Sequence, residues 1–449
     1  MTHDPEDDLP QYLCTSIAVP FDGSASDDSG VPAYQHVPAP ELLLRYPDAI
    51  NICAPMVRYS KHAFRALVSQ YNVQISTTPM ILAQEFSRSA IARDADFSTS
   101  PYERGYFSFT KGRSAKLDRG VHGSRPELVR GSLICQMAAN NGAQLADAAE
   151  LVAPFVDGID LNCGCPQPWA YSEGIGSALL RQPDKVRDMV RAVKGRLGEG
   201  FCMSVKIRVD SDLKLTDQLV RTALHAGASI LSIHGRTRHQ ASESHPVNLD
   251  TIRFAVDAAR SCGNQTACAS GSTASLASVE GSQSVDGAKA GQAAGTDDSE
   301  PSLPGRTEWN FDGGGAGGAV PCVANGDVWS LLEAREWRRR TTAEGIMSAR
   351  GLLANPALFS GYKHTPHEAV REFVALSLAW GLPYPLFQRH IAYMLEGQVQ
   401  RQEAIHFNAL GSAAAVIDWL TENEIFPPDH GPLTFDSTVA AKRLRSAII

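Results

Sequence analysis

From about residue 50 onward the apolar positions alternate between two patterns. Short runs rich in β-branched residues end in polar or glycine-containing turns, and longer stretches with helical apolar spacing follow them. The short runs predict strands over Ile50–Met56, Val73–Met80, Leu133–Ala138, Gly158–Gly164, Phe201–Arg208, Ser229–Thr237, Val320–Val328 and Gly345–Gly351. Between them lie amphipathic stretches such as Pro183–Leu197 and Lys214–Ala226. Eight strand–helix repeats predict an α/β fold, a (β/α)8 TIM barrel, in which chemistry sits at the C-terminal ends of the strands.

Three segments depart from this rhythm. Residues 1–45 are acidic and rich in Asp, Ser and Pro, and read as a disordered leader. Residues 261–319 are Ser/Gly/Ala-rich, acidic and almost free of large apolar side chains, too poor in buriable surface to offset the entropy of ordering. They read as a disordered low-complexity insertion between the sixth helix and the seventh strand. A barrel tolerates such an insertion because loop-closure entropy grows slowly with length. From His364 the strands stop, and His367–Ala379, Leu386–Glu403 and Phe407–Thr421 carry helical patterns. The expected organisation is therefore a leader (1–45), a barrel (46–363, interrupted at 261–319), and a small C-terminal all-helical domain with a tail (364–449).

Composition narrows the function classes. Apolar residues are 43% of the chain, enough for a full core. No run approaches the roughly 18 apolar residues of a membrane span, so no membrane association is expected. The first residues, MTHDPEDDLP, lack the apolar stretch of a signal peptide and the Arg-rich character of a mitochondrial presequence. The nine cysteines are odd in number and mostly solitary, as in a reducing compartment. A cytoplasmic location, with access to the nucleus, is the expectation. No Cys or His cluster has zinc-site spacing, and no metal is expected.

The segment Gly158–Pro168, GIDLNCGCPQP, concentrates candidate chemistry. Pro166 ends a strand, and Gly164 permits a tight turn beside it. That turn either presents a thiol at the barrel mouth, for use as a nucleophile, ligand or proton donor, or buries two small residues at a strand end.

Asn162-Cys163-Gly164-Cys165-Pro166 resembles the N-x-G-C-P motif of the tRNA-dihydrouridine synthase family. Further motifs similar to those of the family follow in order. They are Ala54-Pro55-Met56 after the first strand, Gln136 on the third, Lys206 on the fifth and His234-Gly235-Arg236-Thr237 on the sixth. Asn325-Gly326-Asp327 and Ala349-Arg350-Gly351 follow the seventh and eighth. The resemblance spans roughly residues 50–360, the insertion excepted. MSARGLLANPALF and PVNLDTI are most similar to the fourth eukaryotic class, which acts at D-loop positions 20a and 20b.

The resemblance implies an FMN enzyme that uses NADPH to reduce a tRNA uridine. Hydride would pass from flavin N5 to uracil C6, and Cys165 would give a proton to C5. Cys163 would be a packed residue. FMN contacts are expected from Pro55, Met56, Val57, Gln136, Lys206, His234, Asn325, Gly326, Asp327, Ala349 and Arg350. In TIM barrels the loops after the seventh and eighth strands commonly bind phosphate. Lys206 would stabilise negative charge near flavin N1, or else point outward to a helix carboxylate. Gln136 would meet the polar edge of the flavin, or be a satisfied core amide. An ordinary thiol, with a pKa of about 8.5, is protonated at neutral pH, so no strong cation is expected at hydrogen-bonding range of the acid. RNA contacts are expected from Asn162, Arg236, Arg389, His390 and Arg401, and from the basic run Lys442–Arg445; the alternative for each of the helical-domain charges is a solvated helix charge.

The net charge of −8 at first opposes RNA binding. Residues 1–30 contribute −7 and residues 261–319 contribute −5, leaving about +4 on the rest of the chain. A weakly basic body can carry a basic face. A monomer is expected. Two rivals remain: a barrel acting on a free pyrimidine, similar to dihydroorotate dehydrogenases, and a tRNA-binding module without catalysis. N-x-G-C-P and the helical domain weigh against the first, and the retained Cys165 and Lys206 against the second.

Overall fold

The structure is a computed structural model that describes residues 14–19, 35–47, 49–111, 127–269 and 319–426. Eight parallel strands close into a barrel: β1 (Ile50–Cys53), β2 (Ile75–Thr77), β3 (Ser132–Ala138), β4 (Gly158–Cys163), β5 (Met203–Arg208), β6 (Ile230–His234), β7 (Cys322–Asn325) and β8 (Gly345–Ser348). Strand β8 pairs back with β1, with Ser348 opposite Cys53, which closes the ring. All eight expected strands are present. Most are shorter than the apolar pattern, because residues such as Pro55, Met56, Gly164 and Asp327 leave the ladder to build the mouth.

Strand alternation sorts the side chains into two sets. On β4, Ile159, Leu161 and Cys163 pack outward under the helices, with Cys135 and Met137 of β3 and Val205 and Ile207 of β5. Asp160 and Asn162 point inward. The interior is layered. Ile50, Ile52, Ile75, Ile134, Ile230, Val323 and Met347 share a cluster that fills its lower part. Thr77, Asp160, Ser204 and Ser232 line a small void among them. Above, at the C-terminal ends, stand Gln136, Asn162, Lys206, His234 and Asn325.

The lower end is plugged by a second sheet. Cys14–Val19 pairs antiparallel with Tyr106–Lys111, which pairs with Glu127–Arg130, which in turn meets Gln35–His36. With the helix Ala39–Arg45, this layer drives Leu42, Leu43, Tyr46, Phe107, Phe109 and Val129 into the same cluster as the barrel floor. The expected leader, 1–45, is thus corrected: Cys14–Val19 pairs as a strand, and residues from Gln35 on are structural because Val37, Ala39, Leu42 and Leu43 find a partner surface under the barrel. Asp157, at the start of β4, anchors the layer. It accepts hydrogen bonds from Arg104 Nε at 2.7 Å, Arg130 Nη2 at 2.9 Å and the Leu133 amide at 2.8 Å.

The expected insertion also begins too early. The helix Leu249–Ala269 runs nine residues into it, and Cys262 is buried against Arg221, which also bonds the Ser261 hydroxyl at 2.9 Å. The remainder of the insertion falls outside the described residues, as do the first part of the leader and the Lys442–Arg445 run.

C-terminal to the barrel the chain is helical, over His367–Ala379, Tyr384–Met394, Arg401–Ala409 and Ala413–Glu422. The stretch expected as one helix over Leu386–Glu403 is two, broken where Gly397 adopts φ +75°. The stretch Phe407–Thr421 divides where Ser412 caps a new helix through the Ala415 amide. His367–Ala379 packs on His62–Ser69, the helix after β1, and the His62 ring stacks on Trp380 at 3.8 Å. Tyr384–Met394 contacts Arg350–Ala354, the short helix after β8. The helical domain therefore sits against the rim of the mouth.

Candidate active site

The turn after β4 is built by Asn162. Its Oδ1 accepts the backbone N–H of Gly164 at 3.0 Å and of Cys165 at 2.9 Å. Its Nδ2 donates to Gln136 Oε1 at 2.8 Å, and Gln136 Nε2 donates to Asp160 Oδ2 at 2.7 Å. The turn separates the two cysteines. Cys163 is fully buried in the outer core, where burial pushes its thiol well above the ordinary range. Cys165 is half-buried at the mouth, and its Sγ makes no hydrogen bond among the described residues. Gly176, at φ +61°, lies against it, and a Cβ there would come within 2.8 Å of Cys165 Cβ.

Beside this turn, Arg208 donates from Nε to Gly164 O at 2.9 Å and from Nη1 to Thr237 O at 3.0 Å. It ties the cysteine loop to the loop after β6 without bonding the thiol. Lys206 points inward and has no hydrogen-bond or ion-pair partner among the described residues. Burial, and after it the neighbouring Arg208 cation, lower its pKa to about 8. The Asp160 carboxylate one layer below opposes this shift without bonding the amine.

Across the mouth, the loops after β6, β7 and β8 enclose a cavity of about 170 Å³ lined by Arg208, His234, Asn325, Gly326, Ala349 and Arg350, among others. His234 is held well below its ordinary pKa by burial and then by the charges of Lys206, Arg208, Arg236 and Arg350. The imidazole is thus neutral in a positive field, although two of the four cations, Arg236 and Arg350, share the Asp327 carboxylate. Gly326 has φ +125°, and a Cβ there would lie 2.7 Å from Val247 Cγ2 and 2.9 Å from His234 Cδ2. A Cβ on Gly351 would overlap the Val328 carbonyl. Only glycine lets the backbone approach this closely. The residues present fit an organic phosphate held in the cavity, with an anionic ring system reaching Lys206 and the free polar capacity of Gln136.

Some expected residues occupy other positions. Arg236 was expected to meet RNA, but its side chain is 1% exposed; it is ion-paired with Asp327 and donates from Nε to His245 O at 2.6 Å. It secures the loop Ser242–Val247. Asp327 also accepts from Arg350 Nη2 at 2.9 Å and from the Val247 amide at 2.9 Å, so its carboxylate organises cations rather than facing an anion. His390 was likewise expected to meet RNA. It is fully buried, packed against Phe64 and Phe373 at ring distances of 4.9 Å, and burial lowers its pKa to about 3. Its position on the inner face of an amphipathic helix was the signal against a contact role. Arg389 and Arg401 are exposed as expected, and the Arg389 guanidinium lies over the Tyr393 ring at 4.8 Å.

Pro55 and Met56 are half-buried and Val57 is exposed, on a turn in which the Met56 amide donates to Ser60 Oγ at 3.0 Å. A groove of about 470 Å³ runs past Val57, Arg58, Lys61, Met80 and Leu386, where the rim meets the helical domain. Arg58 holds φ +72°, an unfavourable region for a side chain of its size. Sequence inspection missed Arg58, whose conformation no composition reveals. It also missed Asp160 and Arg208, although both lie within motifs already singled out.

Comparisons with known proteins identify the family. The Dihydrouridine synthase (Dus) family profile matches residues 52–290 and 317–420. A human protein named tRNA-dihydrouridine(20a/20b) synthase [NAD(P)+]-like is 37% identical over 376 residues, covering 83% of this chain and 90% of its own length. The fission yeast tRNA-dihydrouridine(20a/20b) synthase [NAD(P)+] is 37% identical over 394 residues, covering 88% and 94%. The Saccharomyces cerevisiae protein of the same name is 32% identical over 375 residues, covering 83% and 79%. With an eight-stranded barrel, a helical C-terminal region and matches of this extent, the chain belongs to the dihydrouridine synthase family.

Proposed function

We propose that this protein reduces the C5=C6 bond of a uridine in the tRNA D-loop, at position 20a or 20b, using FMN and NADPH. The observation that carries the reading is the convergence of a half-exposed Cys165, an unpaired inward Lys206 and a cation-ringed cavity at one end of one barrel. The position on tRNA and a nicotinamide donor come from the names of the relatives, which carry NAD(P)+; FMN and the choice of NADPH rest on the family resemblance.

His234, Arg350 and the backbone around Gly326 would hold the FMN phosphate. Lys206 and Gln136 would take the polar edge of the ring, and Pro55 and Met56 its apolar face. Bound there and reduced, FMN supplies a hydride equivalent. The remaining work falls to this chain. Cys165 gives its Sγ proton to uracil C5, and Asn162 holds the cysteine loop while it does so. A base stacked in the D-loop cannot reach the barrel mouth, so the target uridine must leave its stack, at a cost of a few kcal/mol. Arg58 and Lys61 along the groove, with Arg389 and Arg401 on the helical domain, would offset that cost through phosphate contacts. The protein is proposed to act as a monomer without a metal.

The test has two parts. A visible spectrum of the purified protein should show bound flavin. Mapping of dihydrouridine in tRNA from cells lacking the protein should show its loss at 20a or 20b. A colourless protein, or unchanged modification at both positions, would contradict the reading.

A further inference from the structure

Asp160 lies one layer below the reacting groups and takes no part in the chemistry above. It is 3% exposed, its Oδ1 has no hydrogen-bond partner among the described residues, and its Oδ2 accepts from Gln136. From it a continuous chain of hydrogen bonds runs to the cysteine loop: Asp160 Oδ2 to Gln136, Gln136 Oε1 to Asn162, and Asn162 Oδ1 to the amides of Gly164 and Cys165.

The two ends of this chain have fixed polarity. A carboxylate only accepts, and backbone amides only donate. The two carboxamides between them can each be turned over, exchanging oxygen for nitrogen, but only one orientation of each satisfies both ends. If Gln136 turned over, its oxygen would face the Asp160 oxygen and its amino group would face the Asn162 amino group. If Asn162 turned over to accommodate that, its amino group would face the N–H groups of Gly164 and Cys165. In a buried site such donor–donor and acceptor–acceptor pairs are expensive.

We propose that Asp160 is a positioning residue that sets the amide orientation of Gln136 and, through Asn162, fixes the loop carrying Cys165. The inference rests on the reading of Cys165 as the proton donor.

The prediction separates polarity from charge. Asp160→Asn can present its carbonyl oxygen to Gln136 Nε2 and preserve the whole chain. Asp160→Leu is similar in size but offers no acceptor, so the chain loses its direction. Displacement of a reacting group by about 1 Å can cost on the order of 100-fold. In single-turnover oxidation of pre-reduced holoenzyme by unmodified tRNA, Asp160→Leu should slow uridine reduction by roughly 10- to 100-fold. Flavin reduction by NADPH and tRNA affinity should stay near wild type, and Asp160→Asn should restore uridine reduction.

A second readout does not depend on turnover. Iodoacetamide labelling of Cys165 in the oxidised holoenzyme, followed by peptide mass mapping, should be several-fold faster in Asp160→Leu than in wild type or Asp160→Asn. Should Asp160→Leu fail to fold, Gln136→Leu cuts the same chain at its middle link and, compared with wild type at equal flavin occupancy, should show the same faster labelling. Wild-type labelling and uridine reduction in a folded Asp160→Leu would overturn the proposal, as would equal losses in the Asn and Leu variants. Cys165→Ala serves as the reference. If it still reduces uridine, the reading of the thiol fails, while the labelling result continues to decide whether Asp160 positions the loop.

Discussion

Arg236 and Asp327 form an ion pair beneath the mouth of the barrel, with the guanidinium 1% exposed and the carboxylate side chain 18% exposed. The pair joins the loop after β6 to the loop after β7. Through the second oxygen of Asp327 it also joins Arg350 after β8. Three loops that frame one cavity are thus held by a single carboxylate.

Asp327→Ala leaves Arg236 buried without its partner. Removing one member of a buried pair costs about 3–5 kcal/mol. The thermal midpoint should fall by several degrees, and flavin retention should fall with it. Arg350→Ala should weaken flavin retention with a much smaller loss of stability, since Arg350 is 44% exposed. Scanning calorimetry with flavin quantification on both variants checks this, and equal midpoints for wild type and Asp327→Ala would contradict it.

Lys206 predicts a pH dependence of flavin binding. In the free protein burial and Arg208 hold its pKa near 8, below the ordinary lysine value. Anionic flavin favours the protonated amine, so affinity is greatest below pH 8 and falls as pH rises through it, because binding must then take up a proton. Lys206→Met should remove this dependence. It should also weaken binding by about 1.5–3 kcal/mol, roughly 10- to 150-fold, the range for a hydrogen bond to a charged group. Titration of reduced FMN between about pH 7 and 9.5 reads both effects.

His390 and Arg389 are neighbours with opposite expectations. Both ring nitrogens of His390 are buried and, the Tyr59 backbone nearby notwithstanding, meet no partner in hydrogen-bonding geometry among the described residues. His390→Phe should therefore leave stability near wild type or raise it, and leave tRNA affinity unchanged. Because the folded-state pKa of about 3 lies below the ordinary value, the unfolded chain takes up a proton first as pH falls below about 6.5. The wild type should therefore lose stability in that range, and His390→Phe should lose less. Arg389→Ala should weaken tRNA binding and lower its salt dependence by roughly one phosphate contact. Filter binding across salt concentrations, with melting curves from about pH 4 to 7, distinguishes the two residues.

The insertion predicts a tolerant deletion with a sharp boundary. Replacing residues 270–318 with a short Gly/Ser linker should preserve folding and flavin binding. Extending the deletion back to 261 removes Cys262 and the Ser261 partner of Arg221, and should lower the melting midpoint. A failure of the shorter deletion to fold would show that the low-complexity segment is structural.

The barrel was legible because each buried parallel strand leaves a continuous apolar run, and Pro183–Leu197 and His367–Ala379 appear within the bounds their periodicity predicts. Other features depend on partners that local pattern does not reveal. Cys14–Val19 is an ordinary polar–apolar stretch until Tyr106–Lys111 lies beside it. The motifs located Gln136, Asn162, Cys165 and Lys206 but not the links from Gln136 to Asp160 and Asn162, because those bonds cross strands 24 and 26 residues apart. Arg236 was read as a contact from its place in the H-G-R-T motif, and His390 from its place in the helical domain. Burial, which depends on the whole fold, turned both into supports.

Cys165 carries the central claim, and single-turnover oxidation of pre-reduced protein by unmodified tRNA tests it most directly. Cys165→Ala should retain fold, flavin, tRNA binding and reduction by NADPH, and should lose about 10²- to 10⁴-fold in uridine reduction, the usual contribution of a general acid. Cys163→Ala, a small packing change in the outer core, should reduce uridine at close to the wild-type rate. Near-wild-type reduction by Cys165→Ala, or a large loss confined to Cys163→Ala, would contradict the assignment.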